Sequence, residues 1–329
     1  MRKILVVEAD SKTVSTFNKM LKGWGIAFEK EIVNKVDLTR YVDTEILSVF
    51  VFSKVSIKVI ESLPNLKLIV TRSSGFDHID IEAASKRGIL VSNIPGYGSL
   101  PVAEHVFALL LAVLRKIVKA DLMVRSSKWF SPLLQGSLIN GKTFGIIGTG
   151  AIGERVARIA KAFGAEVIAY DVFKKTALEA EGVLRYVKLE EVLERSDIIS
   201  IHVPLTRETY HMINRDSIAR MKKHAVLINT SRGQVVDQEA LVEALKTGKL
   251  SGAGLDVLEK EPPEPDDPIL KLENVVLTPH IAWNTVEAED YILQSTIDVI
   301  KAFANGNPLN IVNLKELEKQ TLAPIISSN

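Results

Sequence analysis

The sequence contains no cysteine. A disulfide frame, a thiolate nucleophile, a zinc ribbon and a Cys-ligated iron–sulfur cluster are therefore excluded, and any chemistry has to come from other side chains. Charge of one sign is equally lacking: 41 Lys and Arg stand against 40 Asp and Glu. Nothing in that balance draws the chain toward nucleic acid or an anionic membrane, and neither is expected as a partner. Long hydrophobic runs are missing too. The longest, residues 106–114, ends at Arg115 and Lys116, well short of the roughly 20 residues that cross a bilayer. The opening MRKILVVEAD meets charge at Glu8 and Asp10, too soon for a signal peptide, and reads as a buried strand. The expectation is a cytoplasmic protein.

What is present is an alternation of short apolar runs and amphipathic segments. With 329 residues the chain exceeds the roughly 250 to 300 at which one core stops growing, so two domains are expected. In the first hundred residues, strands are predicted at 3–7, 27–33, 47–52, 66–71 and 89–92. Helical patterns such as Val14, Phe17, Met20 and Leu21 lie between them, which implies a parallel sheet. From Asn93 to Pro101 the rhythm breaks into turn-forming residues. One helix is then predicted to run to about Arg125, with Ser99 as cap and Pro101 in its first turn. Residues 102–114 are apolar nearly all round, more than one sheet can bury, which predicts a homodimer contact.

A second α/β unit is predicted from Thr143, with strands at 144–147, 166–170, 184–187, 198–202, 226–229, 252–257 and 275–277. A last helix through Ile292, Ile297, Val299, Ile300 and Phe303 stops at Asn305-Gly306-Asn307-Pro308. It would return to the first domain. The expected division is 1–99 with 285–329 as a discontinuous substrate domain, and 100–284 as a dinucleotide-binding domain.

Gly148-Thr149-Gly150-Ala151-Ile152-Gly153 directly follows the strand Phe144-Gly145-Ile146-Ile147 and opens a helix with an apolar face of Ile152, Val156, Ile159, Ala160 and Phe163. The next strand delivers Asp171, 18 residues after the third glycine. Context makes this G-x-G-x-x-G specific. Gly148 permits the tight turn, Gly150 lets backbone approach a pyrophosphate at the helix N-terminus, and Gly153 lets helix and strand pack closely. Asp171 is expected to accept hydrogen bonds from the adenosine ribose. Its charge opposes a ribose phosphate and Val172-Phe173 supplies no arginine, so NAD is preferred over NADP, although Lys174 and Lys175 follow.

Three later segments bear on the reaction. Asn229-Thr230-Ser231-Arg232-Gly233, Glu261 before Pro262, and Thr278-Pro279-His280 each fall just beyond a predicted strand. Together with Ser73-Ser74-Gly75-Phe76-Asp77-His78-Ile79-Asp80, Val102-Ala103-Glu104-His105 and His202-Val203-Pro204-Leu205-Thr206, they make the whole chain resemble the NAD-dependent D-2-hydroxyacid dehydrogenase family. The resemblance implies an α/β protein of two Rossmann-like or flavodoxin-like parallel-sheet domains with a cofactor crevice between them. It implies that Arg232 holds the substrate carboxylate and carbonyl, that His280 is the acid/base and that Glu261 pairs with it. Backbone N–H groups near Ser74 and Gly75 would hold the carboxylate. His202, Val203, Pro204, Thr206, Thr230 and Ser231 would line the cofactor, and Asp256 would be a nicotinamide-side or a structural residue.

The chemistry suits these groups. Reduction of a 2-oxo acid needs a hydride and a proton, and histidine can give the proton near neutral pH. A neighbouring carboxylate favours imidazolium and orients the ring, while arginine's fork matches a carboxylate as lysine does not. Glu259 competes with Glu261 for the pairing role. The remaining histidines show no metal-ligand spacing, so no metal is expected. For the substrate, only Arg72 and Lys54 are candidates to hold a phosphate, which disfavours phosphoglycerate. Formate dehydrogenases of the superfamily carry glutamine in place of Glu261. Phe52, Tyr97 and Trp283 resemble aromatic positions of the D-lactate dehydrogenase branch, with core packing as the competing reading. The expected reaction is reduction of a small or medium 2-oxo acid to a D-2-hydroxy acid. Hydroxypyruvate/glyoxylate reduction is the nearest alternative, and an NAD(H)-sensing corepressor-like binding protein is the alternative of another class.

Overall fold

The computed structural model describes residues 3–129 and 134–317. Residues 1, 2 and 318–329, which the sequence reading assigns to the first domain, lie outside the described residues. The chain divides into two compact units, Met1–Tyr97 with Thr285–Asn329, and Gly98–Asn284.

The first unit begins β1 (Lys3–Val6), α1 (Ser11–Met20), β2 (Gly25–Phe28), β3 (Ile46–Val49), α2 (Ile57–Glu61), β4 (Leu68–Thr71), α3 (Ile81–Lys86) and β5 (Leu90–Ser92). Its five strands pair in parallel in the order β2-β1-β3-β4-β5. Strands β3 and β4 are buried throughout, which is why they read as unbroken apolar runs and not as alternating ones. The second strand is shorter than expected: it ends at Phe28, and Val33 lies in a 3-10 turn with its N–H on Ser53 Oγ at 2.9 Å. The intervening Glu29-Lys30-Glu31 keeps that stretch in water.

The second unit opens with α4 (Ser99–Leu114) and α5 (Ile117–Arg125). The single helix expected here is in fact two. The N–H of Ser137 takes the Leu114 carbonyl at 3.1 Å and Lys116 adopts a left-handed φ of 53°, so the chain turns after Leu114. Gly98, not Ser99, occupies the N-cap, and the Ser99 hydroxyl accepts from Arg155 Nε at 3.3 Å. Then follow β6 (Thr143–Ile147), α6 (Ala151–Ala162), β7 (Glu166–Tyr170), α7 (Thr176–Ala180), β8 (Arg185–Tyr186), α8 (Leu189–Arg195), β9 (Ile198–Ile201), α9 (Arg215–Arg220), β10 (Ala225–Asn229), α10 (Gln238–Lys246), β11 (Leu250–Leu255) and β12 (Val275–Leu277). The seven strands are parallel in the order β12-β11-β10-β9-β6-β7-β8. The order reverses at β6, so the glycine loop at its C-terminal end stands where open parallel sheets bind ligands.

The last helix, α11 (Val286–Ala304), belongs to the first unit, and its Leu293, Ile297 and Ile300 join Phe17 and Val70 in one core. Beyond it the chain lies along the edge of β5, with Ile311 bridging Ser92 in antiparallel sense. Asn313 is buried there: its Oδ1 accepts from Val91 N, and its Nδ2 donates to Ser85 Oγ and Ile89 O, all at 2.9 Å. Asn313→Ala strands these groups away from water and is expected to destabilise the protein by about 2–4 kcal/mol in urea unfolding. A loss below about 1 kcal/mol would show that water replaces the amide.

Candidate active site

His280 follows β12 on the turn Thr278-Pro279-His280 and has a left-handed φ of 56°, a conformation non-glycine residues seldom adopt. Asp256, 1% exposed, holds that turn. Its Oδ1 accepts from Thr278 Oγ1 at 2.5 Å and Ile281 N at 2.9 Å, its Oδ2 accepts from Ala282 N at 2.8 Å, and its carbonyl accepts from His280 N at 2.8 Å. His105 Nε2 stands 3.0 Å from Thr278 Oγ1 and 3.6 Å from Asp256 Oδ1. Both oxygens of Asp256 are thus engaged in shaping the histidine's loop, a task its position just past β11 does not announce in sequence.

His280 Nδ1 and Glu261 Oε2 are 2.8 Å apart, and Glu261 Oε1 accepts from Leu258 N at 3.0 Å. Burial pushes the Glu261 carboxyl up, but His280, the Leu258 amide and the charge of Arg232 together hold it below the ordinary carboxylate range. Glu261 is thus hydrogen-bonded to His280 and also feels the charge of Arg232. Glu259 is separate: its Oε1 meets His211 Nε2 at 2.8 Å and its Oε2 accepts from Gln238 N at 3.3 Å. It fastens the segment that carries Glu261 and does not touch His280.

The turn carrying Arg232 is built by Asn229, which the sequence reading did not single out. Its Oδ1 accepts from Ser231 N at 3.0 Å and Ser231 Oγ at 2.8 Å, and its Nδ2 donates to the Arg232 carbonyl at 2.9 Å. An asparagine at a strand end is a recognisable turn former, so the signal was available. Gly233 was passed over as well. A Cβ there would overlap the backbone of Leu258 and Glu259, so glycine is what lets the arginine turn lie against the glutamate segment.

The dinucleotide loop has the shape its motif requires. Gly148 turns with φ 94° against the His202 carbonyl, a Cβ on Gly153 would overlap the Gly148 carbonyl, and nothing lies within 4 Å of the Cβ position of Gly150. Gly150 caps α6, whose first turn, Ala151, Ile152 and Gly153, presents N–H groups that have no partner within the helix. At the end of β7, Asp171 Oδ2 accepts from Thr149 N at 2.5 Å and Thr149 Oγ1 at 2.9 Å, and Oδ1 accepts from Phe173 N at 2.8 Å. Burial opposes its charge, yet these donors hold its carboxyl below the ordinary value. His202 Nε2 pairs with Ser200 Oγ at 2.9 Å, and burial drives its imidazole down to about 3, so it stays neutral near pH 7. Val203 is partly buried, and Pro204 and Thr206 are exposed in a turn closed by Thr209. Thr230 Oγ1 is buried without a partner at the end of β10. An open Gly150, a helix start and an orphaned hydroxyl are features a bound dinucleotide would satisfy.

In the first unit, Ser74 and Gly75 follow β4. Ser74 Oγ donates to Ile94 O at 3.0 Å and Ser73 Oγ to Gly75 O at 2.6 Å, while the amides of Ser74 and Gly75 donate to no acceptor among the described residues. Phe52 is 63% exposed. Tyr97 is partly buried against the unit's core, and Trp283 is partly buried in the second unit. Among the described residues no three His, Asp or Glu side chains gather as a metal site, and no helix is long and apolar enough to cross a membrane.

Two parallel-sheet units, one with a dinucleotide loop and a His–Glu pair beside an arginine, define a nicotinamide-dependent dehydrogenase. Residues 107–282 match the model of the D-isomer specific 2-hydroxyacid dehydrogenase NAD binding domain. A glyoxylate reductase of Thermococcus litoralis is 47% identical over 82% of this chain and 84% of that one, and a glyoxylate reductase of Korarchaeum cryptofilum is 45% identical over 85% and 86%. D-lactate dehydrogenase from Aquifex aeolicus, solved with NAD and lactic acid, superposes with a TM-score of 0.86 at 38% identity over 96% of this chain and 98% of that one. The chain belongs to the D-isomer specific 2-hydroxyacid dehydrogenase family and is an NAD-dependent oxidoreductase.

Proposed function

We propose that the enzyme reduces a small 2-oxo acid to the D-2-hydroxy acid in the manner of a D-lactate dehydrogenase. The observation that carries this is the 2.8 Å pair of His280 Nδ1 with Glu261 Oε2, which leaves Nε2 as the nitrogen that hands a proton to the developing alkoxide. Glu261 fixes the ring and stabilises the imidazolium, and Arg232 grips the carboxylate with its planar fork. NAD(H), when bound, supplies or accepts the hydride, and Gly148 to Gly153, Asp171, His202, Val203, Pro204, Thr206, Thr230 and Ser231 would hold it. Asp256 acts through the loop that presents His280. A corepressor-like sensor has no need of this assembled triad.

Arg72 is 3% exposed and donates to Ser48 Oγ, Val7 O and Glu8 O. Its commitment there weighs against a phosphorylated substrate. The D-lactate-like preference rests on Phe52, Tyr97 and Trp283 and on likeness to the Aquifex enzyme. Identity to the two glyoxylate reductases favours a second reading, reduction of glyoxylate or hydroxypyruvate. Initial rates of NADH oxidation with pyruvate, larger apolar 2-oxo acids, hydroxypyruvate and glyoxylate test this. Highest kcat/KM on pyruvate or a larger apolar acid supports the first reading; preference for the latter two overturns it.

A homodimer completes the proposal. No side chain of α5 is buried, and Ile117, Val118, Leu122 and Val124 are all exposed. Val118 and Leu122 line a groove of about 630 Å³ together with Val113, Met123 and Val276 and the polar Lys119, Ser126 and Glu273. Exposed apolar side chains clustered on one helix are a feature of protein–protein interfaces, whereas α4, expected from sequence to make this contact, is largely buried within its own unit. Light scattering at micromolar concentration should give twice the chain mass, and Val118→Glu with Leu122→Glu should halve it; a monomeric parent protein refutes the dimer.

A further inference from the structure

We propose that Thr149 and Tyr186 set the preference for NAD over NADP by locking the Asp171 carboxylate in place, a role that rests on Asp171 standing at the adenosine ribose. Proton directions follow from the donors. Thr149 Oγ1 donates its only proton to Asp171 Oδ2 at 2.9 Å. In the 2.8 Å contact of Thr149 Oγ1 with Tyr186 OH the tyrosine is therefore the donor. With its proton so committed, Tyr186 OH accepts from Lys175 N at 3.0 Å. One chain of hydrogen bonds thus runs from a main-chain amide through two hydroxyls to the carboxylate, every proton pointing toward the anion. Such chains polarise and strengthen each member.

The chain is shielded as well as directed. Thr149 is 1% exposed and Tyr186 8% exposed, so water does not compete for these bonds. Thr149 N and Phe173 N occupy one lone pair on each carboxylate oxygen. Rotation of Asp171 would break bonds on both oxygens at once. A ribose hydroxyl can donate to the lone pair left on Oδ1, whereas a ribose phosphate meets an anion that can neither turn aside nor readily take up a proton. Asp171 supplies the discriminating charge; Thr149 and Tyr186 are positioning residues that act through it.

The test measures the Kd of NADH and of NADPH by fluorescence titration, with kcat/KM for both as a second readout. The variants are Thr149→Val, Thr149→Ser, Tyr186→Phe and Asp171→Ala. Losing the charge-assisted hydrogen bond in Thr149→Val should lower the NADH over NADPH preference about tenfold, and losing the neutral bond that supports it in Tyr186→Phe about threefold. The change should lie in NADPH affinity, and Thr149→Ser, which keeps the hydroxyl, should retain the parent ratio. If Asp171→Ala shifts the ratio but Thr149→Val and Tyr186→Phe stay within twofold of the parent, the lock is refuted and the ribose reading survives. If Asp171→Ala itself leaves the ratio unchanged, the ribose reading fails and takes the lock with it. Equal weakening of both cofactors in Tyr186→Phe, the milder change, also overturns the proposal.

Discussion

Replacing His280 with alanine is expected to lower kcat by about 10²- to 10⁴-fold, the usual worth of a positioned general acid. The Kd of NADH should change little, because the dinucleotide loop does not depend on that side chain. His202 is the internal comparison. Held neutral by burial, with its pKa near 3, it has no proton to give around pH 7, so His202→Asn should leave the neutral-pH dependence of kcat in place. Glu261→Gln should cost less than His280→Ala, since the amide still orients the ring but no longer compensates the imidazolium. The sign of the acid-side behaviour follows from the lowered Glu261 carboxyl. A depressed folded-state value means that the pairing stabilises the fold fully above the unfolded value and is lost only as pH falls through the folded one. The His280–Glu261 arrangement should thus survive mild acid and fail below the ordinary carboxylate range. Retention of more than about a tenth of kcat by His280→Ala would remove it as the acid/base.

The parts legible in sequence are those fixed by local pattern. The run from β6 through the glycine loop and α6 to Asp171 could be read because strand, turn, helix and strand follow within one short stretch, each with its own periodicity. Arg232, Glu261 and His280 were legible as types placed past strand ends, but the choice of Glu261 over Glu259 rested on the family resemblance and not on chemistry. Both are carboxylates on one segment, and only the fold turns one toward His280 and the other toward His211. The break between α4 and α5 escaped because Arg115 and Lys116 are good helix formers; what ends α4 is the amide of Ser137 on the Leu114 carbonyl, a contact made from 23 positions away. Asn313 carries no local signal either. Its partners Ser85, Ile89 and Val91 lie more than two hundred residues earlier in the chain, and a lone asparagine near a terminus reads as a solvated loop. Residues 27–33 misled for the opposite reason, since apolar residues at both ends of Glu29-Lys30-Glu31 imitate one strand.

Gly233→Ala carries the second large expectation, and it separates positioning from stability. A Cβ at this position overlaps the carbonyl of Leu258 and the amide of Glu259, backbone atoms that cannot swing away as a side-chain tip would. Either the Asn229–Arg232 turn or the Glu261 segment has to move. Overpacking of this kind typically costs about 1–3 kcal/mol, and a shift of about 1 Å between groups that must act together lowers turnover about 10²-fold. We therefore expect Gly233→Ala to lose stability in urea and to lose kcat/KM about a hundredfold, with NADH affinity kept. Asn313→Ala supplies the control, because it should destabilise the first unit to a similar degree without touching Arg232, Glu261 or His280, and its kcat below the unfolding transition should remain near the parent value. If the two variants lose equal stability and equal activity, the contact at Gly233 serves packing alone. If only Gly233→Ala loses turnover, the closeness of two backbone segments is what brings arginine, glutamate and histidine to work as one site.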